Sequence, residues 1–350
     1  MRNLIPSKNF INTISVFILL LALAPSAPAK EKPQYHLKLA TIAPEGNGWA
    51  DVFHNYADYV EKASGGRINV ILYLGAIMGD EPDEVRKLRI GQIQGAVVTL
   101  MGMGIVAEEF KVLELPQLIM NFQESDYVQE KLSPVFEQIL KERDLMLAGW
   151  SEVGYVRIYT RIPINSIQDY DKTKFWSWVG EPVVEEALRT LGVKNLIPLS
   201  LPEVLNSLRT NMVDSFIGSC LTIIPLQWYP ETKYMSDFTY GYSPMVVLLD
   251  KKYFDQLPPD LQGIVLKGWR LLLPDLTRKV REDEGIACRG LKARGLIENP
   301  SSPELLREVR KRAIEVQEKL AGRYYPLSLL QKIRGVLDEF RLQSHSSPSP

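Results

Sequence analysis

The stretch YHLKLATIAPEGNGWADVFHNYADYVEKASGGRINVILYL (residues 35–74) decides the fold class of this chain. Its first part, Tyr35 to Ile42, alternates and is rich in apolar residues, which is typical of a strand. Apolar residues then recur at helical spacing from Trp49 to Val60, and the Gly65-Gly66 pair is a stop signal. Ile68 to Leu74 alternate again. A strand, a helix and a second strand in succession predict a parallel β-α-β unit.

The same alternation continues outward from this stretch, and it resumes after the proline-marked segment 161–174. Further strands are predicted at Ala96–Leu100, Leu145–Gly149, Phe175–Val179, Leu196–Leu199, Val213–Ile217 and Pro244–Leu249. Further helices are predicted at Asp83–Ile90, Pro134–Lys141, Pro182–Leu191, Pro202–Thr210 and over most of the chain from Leu261 onward. Pro274 is expected to kink or break that last helix, and the Ser/Pro-rich tail 343–350 is expected to be disordered. The pattern predicts an α/β fold in which each half carries a parallel sheet.

Composition and charge narrow the class of partner. The chain has 350 residues, of which 45% are hydrophobic, and 41 basic residues face 42 acidic ones. These are the proportions of a globular protein with one large or two medium domains. A formal net charge of -1 provides no broad basic field, so no nucleic-acid partner is expected.

The N-terminus has the pattern of an export signal. Arg2 and Lys8 precede an apolar segment, and Ala27-Pro28-Ala29 supplies the small residues of a cleavage site. The apolar segment is too short to span a bilayer, and no Cys follows it for lipid attachment. Residues 1–29 are therefore predicted to be a Sec signal peptide, and the mature protein to be exported without a lipid anchor.

The search for catalytic and cofactor motifs is mostly negative. H-E-x-x-H, G-x-S-x-G, P-loop and C-x-x-C patterns are absent, and His54 and His345 have no visible partner for base or metal duty. Residues 102–107 (GMGIVA) match a dinucleotide fingerprint formally, but they leave room for only a short helix, so a glycine-loosened loop beside a cleft is expected. Cys220 and Cys288 can form a disulfide or stay as two buried thiols. We expect no enzyme, no cofactor and no metal site.

Candidate ligand-binding residues lie near the predicted strand ends, where open α/β sheets bind ligands. They are Thr99, Leu100, Met101, Trp176, Trp178, Phe216, Gly218, Trp228 and Tyr229. Trp176 and Trp178 alternate with Ser177, so they share one face of a strand. That face can be either core or cleft.

Eight segments in order resemble a known family. LKLATIAPE (37–45), YVEKASGGRINV (59–70), GAIMGDEPDEV (75–85) and LRIGQIQGAVV (88–98) are similar to the start of the solute-binding subunits of TRAP (tripartite ATP-independent periplasmic) transporters. The resemblance continues through FKVLELP (110–116), PINSIQDY (163–170), LPEVLNSLRTNMVD (201–214) and FDQLPPDLQ (254–262). It covers about residues 35–295.

The resemblance implies a bilobed periplasmic-binding-protein (type II) fold, with two α/β lobes joined by a hinge and a long helix spanning both. The lobes would close over a small-molecule solute and present it to TRAP membrane permease subunits from the periplasm. Lobe one would comprise residues 34–155 with 242–283, and lobe two residues 156–241 with 284–342. The sequence also resembles the subgroup whose transporters recruit a tetratricopeptide-like periplasmic partner protein.

One position departs from the family pattern. Members that take up organic acids carry an Arg in a K-x-R-V-P pattern, where it holds the solute's carboxylate in a bidentate pair. Here residues 174–178 read KFWSW, so Trp176 stands at the Arg position. Indole has one N–H donor and no charge, so it cannot replace a guanidinium. Arg157 lies roughly where the family keeps a second Arg, offset by one residue, and Arg161 follows it.

These features lead to one hypothesis and two alternatives. The leading hypothesis is a solute receptor that binds a hydrophobic or amphipathic molecule in a mainly apolar interlobe cleft. The first alternative keeps the transport role but binds an organic acid through Arg157 and Arg161. The second is an interaction scaffold of the same fold that binds no small ligand.

Overall fold

The computed structural model of the protein describes residues 33–46 and 48–346. The predicted signal peptide, residues 1–29, lies outside the described residues, as do the last four residues of the chain. None of the helices in the described part is both long and apolar enough to cross a membrane.

Strands and helices alternate along most of the chain. The strands are β1 (Tyr35–Thr41), β2 (Ile68–Tyr73), β3 (Gly95–Thr99), β4 (Leu145–Thr160), β5 (Lys174–Trp178), β6 (Asn195–Leu199), β7 (Ser215–Gly218), β8 (Tyr234–Ser236), β9 (Gly241–Asp250) and β10 (Ile297–Asn299). The helices are α1 (Gly48–Ala63), α2 (Glu81–Arg89), α3 (Leu100–Val106), α4 (Phe122–Lys141), α5 (Pro182–Leu191), α6 (Leu201–Arg209), α7 (Cys220–Ile223), α8 (Lys251–Gln256), α9 (Pro259–Ala293), α10 (Pro303–Leu320) and α11 (Leu327–Ser346). Short 3₁₀ helices cover Glu108–Glu114, Ile167–Lys172 and Tyr229–Glu231.

The strands form two lobes that share the long strand β4. The strand order is β2-β1-β3-β9-β4-β7-β5-β6, with β8 and β10 added beside the end of β4. Residues 145–156 of β4 pair with β9, whereas residues 157–160 pair with β7 and 159–160 also with β8. We call β1, β2, β3, β9 and the first part of β4 the first lobe. The second lobe comprises the end of β4 and strands β5 to β8 and β10.

The predicted purely parallel sheet is wrong, because β9 and β4 run antiparallel to their neighbours. The predicted strand at Leu145–Gly149 is also only the start of β4. The register between β4 and β9 shifts beside Gly149 and again beside Gly154, whose φ of 106° suits glycine. These irregularities break the alternation from which a strand is recognised in a sequence.

Helix α9 connects the two lobes. It packs on α1 and β4 in the first lobe and on α7 in the second. At the first-lobe end, Trp269 is fully buried and stacks on Tyr56 with ring centroids 3.7 Å apart. Truncation of such a core Trp to Ala typically costs about 3–5 kcal/mol. The helix is not broken at Pro274, because it continues from Pro259 to Ala293.

A disulfide ties α9 to the second lobe. Cys220 at the start of α7 is bonded to Cys288 in α9, which resolves the pairing that the sequence left open. Beside this bond, both carboxylate oxygens of Glu284 accept backbone N–H groups at the start of α7, from Cys220 at 3.1 Å and Leu221 at 2.9 Å. The disulfide uses both thiols of the Cys220, Glu284 and Cys288 cluster, so this cluster offers no thiolate to a metal.

The C-terminal helices differ from the expected division of the chain. Helix α10 packs on α5, but α11 packs on α4 in the first lobe, although residues 284–342 were expected to belong to lobe two. Leu330, Ile333 and Leu337 of α11 join the same apolar cluster as Val128 and Leu132 of α4. Helix α11 also continues to Ser346, so the segment expected to be disordered from residue 343 begins as helix.

The glycine-rich segment 102–107 is not the expected loop. Residues 100–106 form the buried helix α3, which Thr99 caps by accepting the Met101 N–H at 3.2 Å. A Cβ at Gly102 would lie 2.8 Å from a Glu81 oxygen, and one at Gly104 would lie 2.3 Å from the Lys111 side chain. The glycines therefore permit close packing of α3 rather than cofactor binding or a loose loop.

Candidate functional site

A large cavity lies between the two lobes. Its empty volume is about 1460 Å³, including the part open to solvent. Its first-lobe side includes Ile42, Pro44, Trp49, Thr99, Met101 and Tyr242. Its second-lobe side includes Trp176, Trp178, Leu201, Gly218, Leu226 and Trp228. We call this space the interlobe cavity, and its position and mainly apolar lining are those of a small-molecule site.

Three tryptophans form an aromatic wall on the second-lobe side. The ring of Trp176 lies 5.6 Å from that of Trp178 and 5.2 Å from that of Trp228. Trp176 Nε1 donates to Leu199 O at 3.1 Å, and Trp178 Nε1 donates to Asp80 Oδ2 at 2.9 Å. Because both of these indole N–H groups are already used, Trp176 and Trp178 offer a solute ring surface rather than hydrogen bonds.

Six of the predicted ligand-binding residues line the interlobe cavity. They are Thr99, Met101, Trp176, Trp178, Gly218 and Trp228. Leu100, Phe216 and Tyr229 do not line it. Leu100 is fully buried in the first-lobe core, and Phe216 is buried behind Trp228 with a ring distance of 5.1 Å. Tyr229 packs against the apolar cluster that contains Phe216 and Trp228, and the Arg294 guanidinium lies 5.9 Å from its ring centre.

The two arginines suggested as carboxylate ligands also lie outside the lining. Arg157 follows Val156 on β4, and Val156 lines the cavity whereas Arg157 does not. Arg157 Nη1 instead donates to Ser236 O at 3.3 Å. Arg161 donates to Asn211 Oδ1 at 2.9 Å and also to the carbonyl of Leu208, near the end of α6. The geometry contradicts the placement of either guanidinium in the cleft.

Thr99 is held in place by a buried carboxylate. Glu81 at the start of α2 accepts the Thr99 N–H at 2.8 Å, the Thr99 hydroxyl at 2.9 Å and the Gly102 N–H at 2.7 Å. Burial raises the pKa of Glu81 to about 7, and the backbone and hydroxyl hydrogen bonds from Thr99 oppose that rise. The Thr99 hydroxyl is thereby committed to Glu81 and to the cap of α3.

Asp80 joins the lobes at the cavity rim. Its Oδ1 caps α2 by accepting the Glu81 N–H at 2.9 Å. Its Oδ2 reaches the second lobe and accepts both Trp178 Nε1 at 2.9 Å and the Leu201 N–H at 3.1 Å. One half-buried carboxylate thus holds the aromatic wall and the start of α6 against the first lobe.

A second interlobe contact involves ionisable groups that the sequence did not suggest. Lys111 Nζ of the first lobe lies 2.6 Å from Glu181 Oε1 of the second, and both side chains are buried. Glu114 lies beside them, and Glu114 and Glu181 both line the interlobe cavity. Lys111 and Glu181 are 70 residues apart, and no local pattern connects them.

Burial raises the pKa of both carboxyl groups at this contact, those of Glu114 and Glu181. Burial raises the pKa of Glu181 well above its ordinary value, and the neighbouring Glu114 raises it further, against the effect of Lys111. Burial also raises the pKa of Glu114, while Lys111 and a hydrogen bond with the Glu181 carboxyl oppose the rise. Both shifts favour the protonated, neutral form of these two carboxyl groups.

Comparison with known proteins agrees with this architecture. Residues 39–323 match the family described as bacterial extracellular solute-binding protein, family 7. The chain is 24% identical over 305 residues to the sialic acid-binding periplasmic protein SiaP of Vibrio cholerae, covering 84% of this chain and 90% of that protein. It is 23% identical over 248 residues to the C4-dicarboxylate-binding periplasmic protein DctP of Rhodobacter capsulatus, covering 69% and 72%.

Solved structures share the fold. The sugar acid binding protein DctPAm of Advenella mimigardefordensis, in complex with galactonate, superposes with a TM-score of 0.82 at 21% identity, over 88% of this chain and 99% of that one. A TRAP periplasmic solute binding protein of Sulfurospirillum deleyianum with bound succinate gives 0.80 at 15% identity, over 87% and 99%. With its fold and the extent of the family match, the chain belongs to family 7 of the bacterial extracellular solute-binding proteins, the solute-binding proteins of TRAP transporters.

Proposed function

We propose that this TRAP solute receptor binds a hydrophobic or amphipathic small molecule in the interlobe cavity and delivers it to membrane permease subunits from the periplasm. The observation that carries the solute class is the lining. Among the described residues that line the cavity there is no Lys, Arg or His, and Trp176, Trp178 and Trp228 form a continuous wall. Such a surface stabilises apolar groups by removing them from water.

The organic-acid alternative has less support. The relatives and structures named above bind sialic acid, C4-dicarboxylates, galactonate or succinate, according to their names. A carboxylate in a desolvated site needs a charged partner, and leaving it without one typically costs about 2–5 kcal/mol. Arg157 and Arg161 are engaged elsewhere, and Trp176 offers no charge.

The scaffold alternative is also less favoured. A protein that binds no small molecule has no reason to maintain an apolar cavity between its lobes, because an unfilled apolar space forfeits packing energy. The tetratricopeptide-like partner remains a proposal that rests on the sequence resemblance alone.

A calorimetric titration with two probes tests the proposed solute class. We expect 1-octanol to bind and succinate not to bind. Trp176→Ala should weaken octanol binding at least tenfold, which corresponds to about 1.4 kcal/mol. Trp150→Ala is the matched control, because Trp150 packs among Phe110 and Phe136 away from the cavity and should leave affinity unchanged.

The replacement Arg157→Ala, combined with Arg161→Ala, separates the alternatives. The proposal predicts unchanged octanol affinity in this double variant. Tight succinate binding that collapses in the double variant would instead establish the organic-acid alternative. Binding of neither probe class would favour the scaffold.

A further inference from the structure

One part of the interlobe cavity lining is acidic. Glu114 ends the 3₁₀ helix Glu108–Glu114 of the first lobe, and Glu181 precedes α5 of the second lobe, just after β5, without a side-chain capping hydrogen bond. Both residues belong to the lining of the cavity. Lys111 lies behind Glu181 and does not belong to the lining.

The oxygens of this pair are not saturated by the protein. Glu181 is 1% exposed, and its Oε1 accepts from Lys111. Within residues 33–46 and 48–346, no donor reaches Glu181 Oε2 or Glu114 Oε2. Buried acceptors that lack a donor bind one strongly when it is supplied.

The rest of the cavity lining also favours a positively charged solute. Six aromatic residues of the described chain face the cavity, namely Trp49, Trp176, Trp178, Trp228, Tyr240 and Tyr242. The faces of aromatic rings carry negative electrostatic potential and attract organic cations. Because the described lining has no cationic side chain, an anionic head group would meet acidic and aromatic groups without compensation.

We propose that the solute is an amphipathic organic cation, whose amine or quaternary ammonium head binds at the Glu114–Glu181 pair while its apolar body lies along the aromatic wall. This inference rests on the proposed function and specifies its solute class. On binding, a protonated carboxyl group of the pair loses its proton: its O–H bond breaks, the proton passes to solvent, and the freed carboxylate pairs with the cation. The cluster then holds two carboxylates, Lys111 and the solute cation, with no net charge.

Proton release makes the affinity pH-dependent. The charged and titratable groups that face the pair are Lys111, Glu81 and Tyr240. A quaternary ammonium does not titrate, so its affinity should increase by up to about tenfold per pH unit while the pair holds its proton. This readout needs no variant and so does not depend on whether a mutated cavity folds.

The experiment compares three probes of similar alkyl length that differ in their head group: octyltrimethylammonium, 1-octanol and octanoate. Calorimetry on the full mature chain should rank them in that order, with at least a tenfold gap between the first and the second. Glu114→Gln should weaken the ammonium probe at least tenfold, strengthen octanoate and remove the pH dependence. Glu108→Gln is the control, because Glu108 lies on the same 3₁₀ helix but is exposed and outside the cavity.

The outcomes separate this inference from the proposed function. Equal affinity for the ammonium and the alcohol, or tighter binding of octanoate, overturns the cationic head and leaves an amphipathic solute standing. A pH-independent affinity for the ammonium probe in the wild type also overturns it. Failure of all three probes overturns the proposed solute class itself.

Discussion

Replacement of Asp80 by Ser should release the second lobe without disturbing α2. Asp80 Oδ2 receives two hydrogen bonds across the cleft, from Trp178 Nε1 at 2.9 Å and from the Leu201 N–H at 3.1 Å. Its Oδ1 separately caps α2. Serine is also a preferred N-cap residue, so Asp80→Ser retains the cap but is too short to bridge the lobes.

The expected size follows from these contacts. A hydrogen bond to a charged group contributes about 1.5–3 kcal/mol, and Asp80 is half-buried, so each bond falls at the low end. Since water replaces part of both bonds on opening, their combined loss should destabilise the closed arrangement by about 2–3 kcal/mol relative to the open one. That corresponds to about 30- to 150-fold in the closed-to-open ratio.

Distances between spin labels can measure this ratio. One label at Lys62 in the first lobe and one at Met212 in the second occupy exposed positions, and the native cysteines are protected in their disulfide. The wild type should show a larger fraction at the short, closed distance than Asp80→Ser. Asp83→Ser is the control, because Asp83 is on the same helix and forms an ion pair with the exposed Arg86.

An unchanged closed fraction in Asp80→Ser would refute the reasoning. It would mean that the two bonds across the cleft are replaced by equally good bonds to water. A comparable loss of closure in Asp83→Ser would also refute it, because the effect would then come from α2 rather than from the interlobe bonds.

Two further predictions concern stability. Glu84 is fully buried, its carboxylate has no hydrogen-bond partner among the described residues, and burial, reinforced by Glu81, raises its pKa to about 9. Its stabilising contribution is complete below the unfolded-state pKa near 4.5 and is lost as pH rises toward about 9. The free energy of unfolding of Glu84→Gln should therefore rise relative to that of the wild type as pH increases, by about 3 kcal/mol at pH 7. Urea unfolding measures this difference, and a pH-independent difference would contradict the prediction. Replacing both Cys220 and Cys288 by Ser removes a crosslink across 68 residues and should lower the free energy of unfolding by about 4 kcal/mol; an unchanged urea midpoint would show that the crosslink adds nothing.

The local elements were predictable from the sequence, whereas their long-range pairing was not. The strand-like pattern of residues 35–41 and the helical period in residues 49–60 are both local signals, so β1 and α1 were found nearly to their ends. Parallel and antiparallel strands share that period, and the antiparallel insertion of β9 beside β4 therefore left no local signal.

The candidate site shows the same limit. Trp176 and Trp178 were found because alternation placed them together at a strand end. The position of Arg157 was missed because the sequence does not show which side chains of β4 meet the cavity, as Val156 does. Glu114 and Glu181 were missed because a carboxyl group between two lobes has no sequence pattern that distinguishes it from an exposed one. Only the fold shows that they share a cavity.

Native mass spectrometry of the protein purified from its native cells tests the central claim most directly, because a retained solute reveals its mass and charge state. The account predicts a hydrophobic or amphipathic molecule without a free carboxylate. A retained dicarboxylate or sugar acid would contradict it.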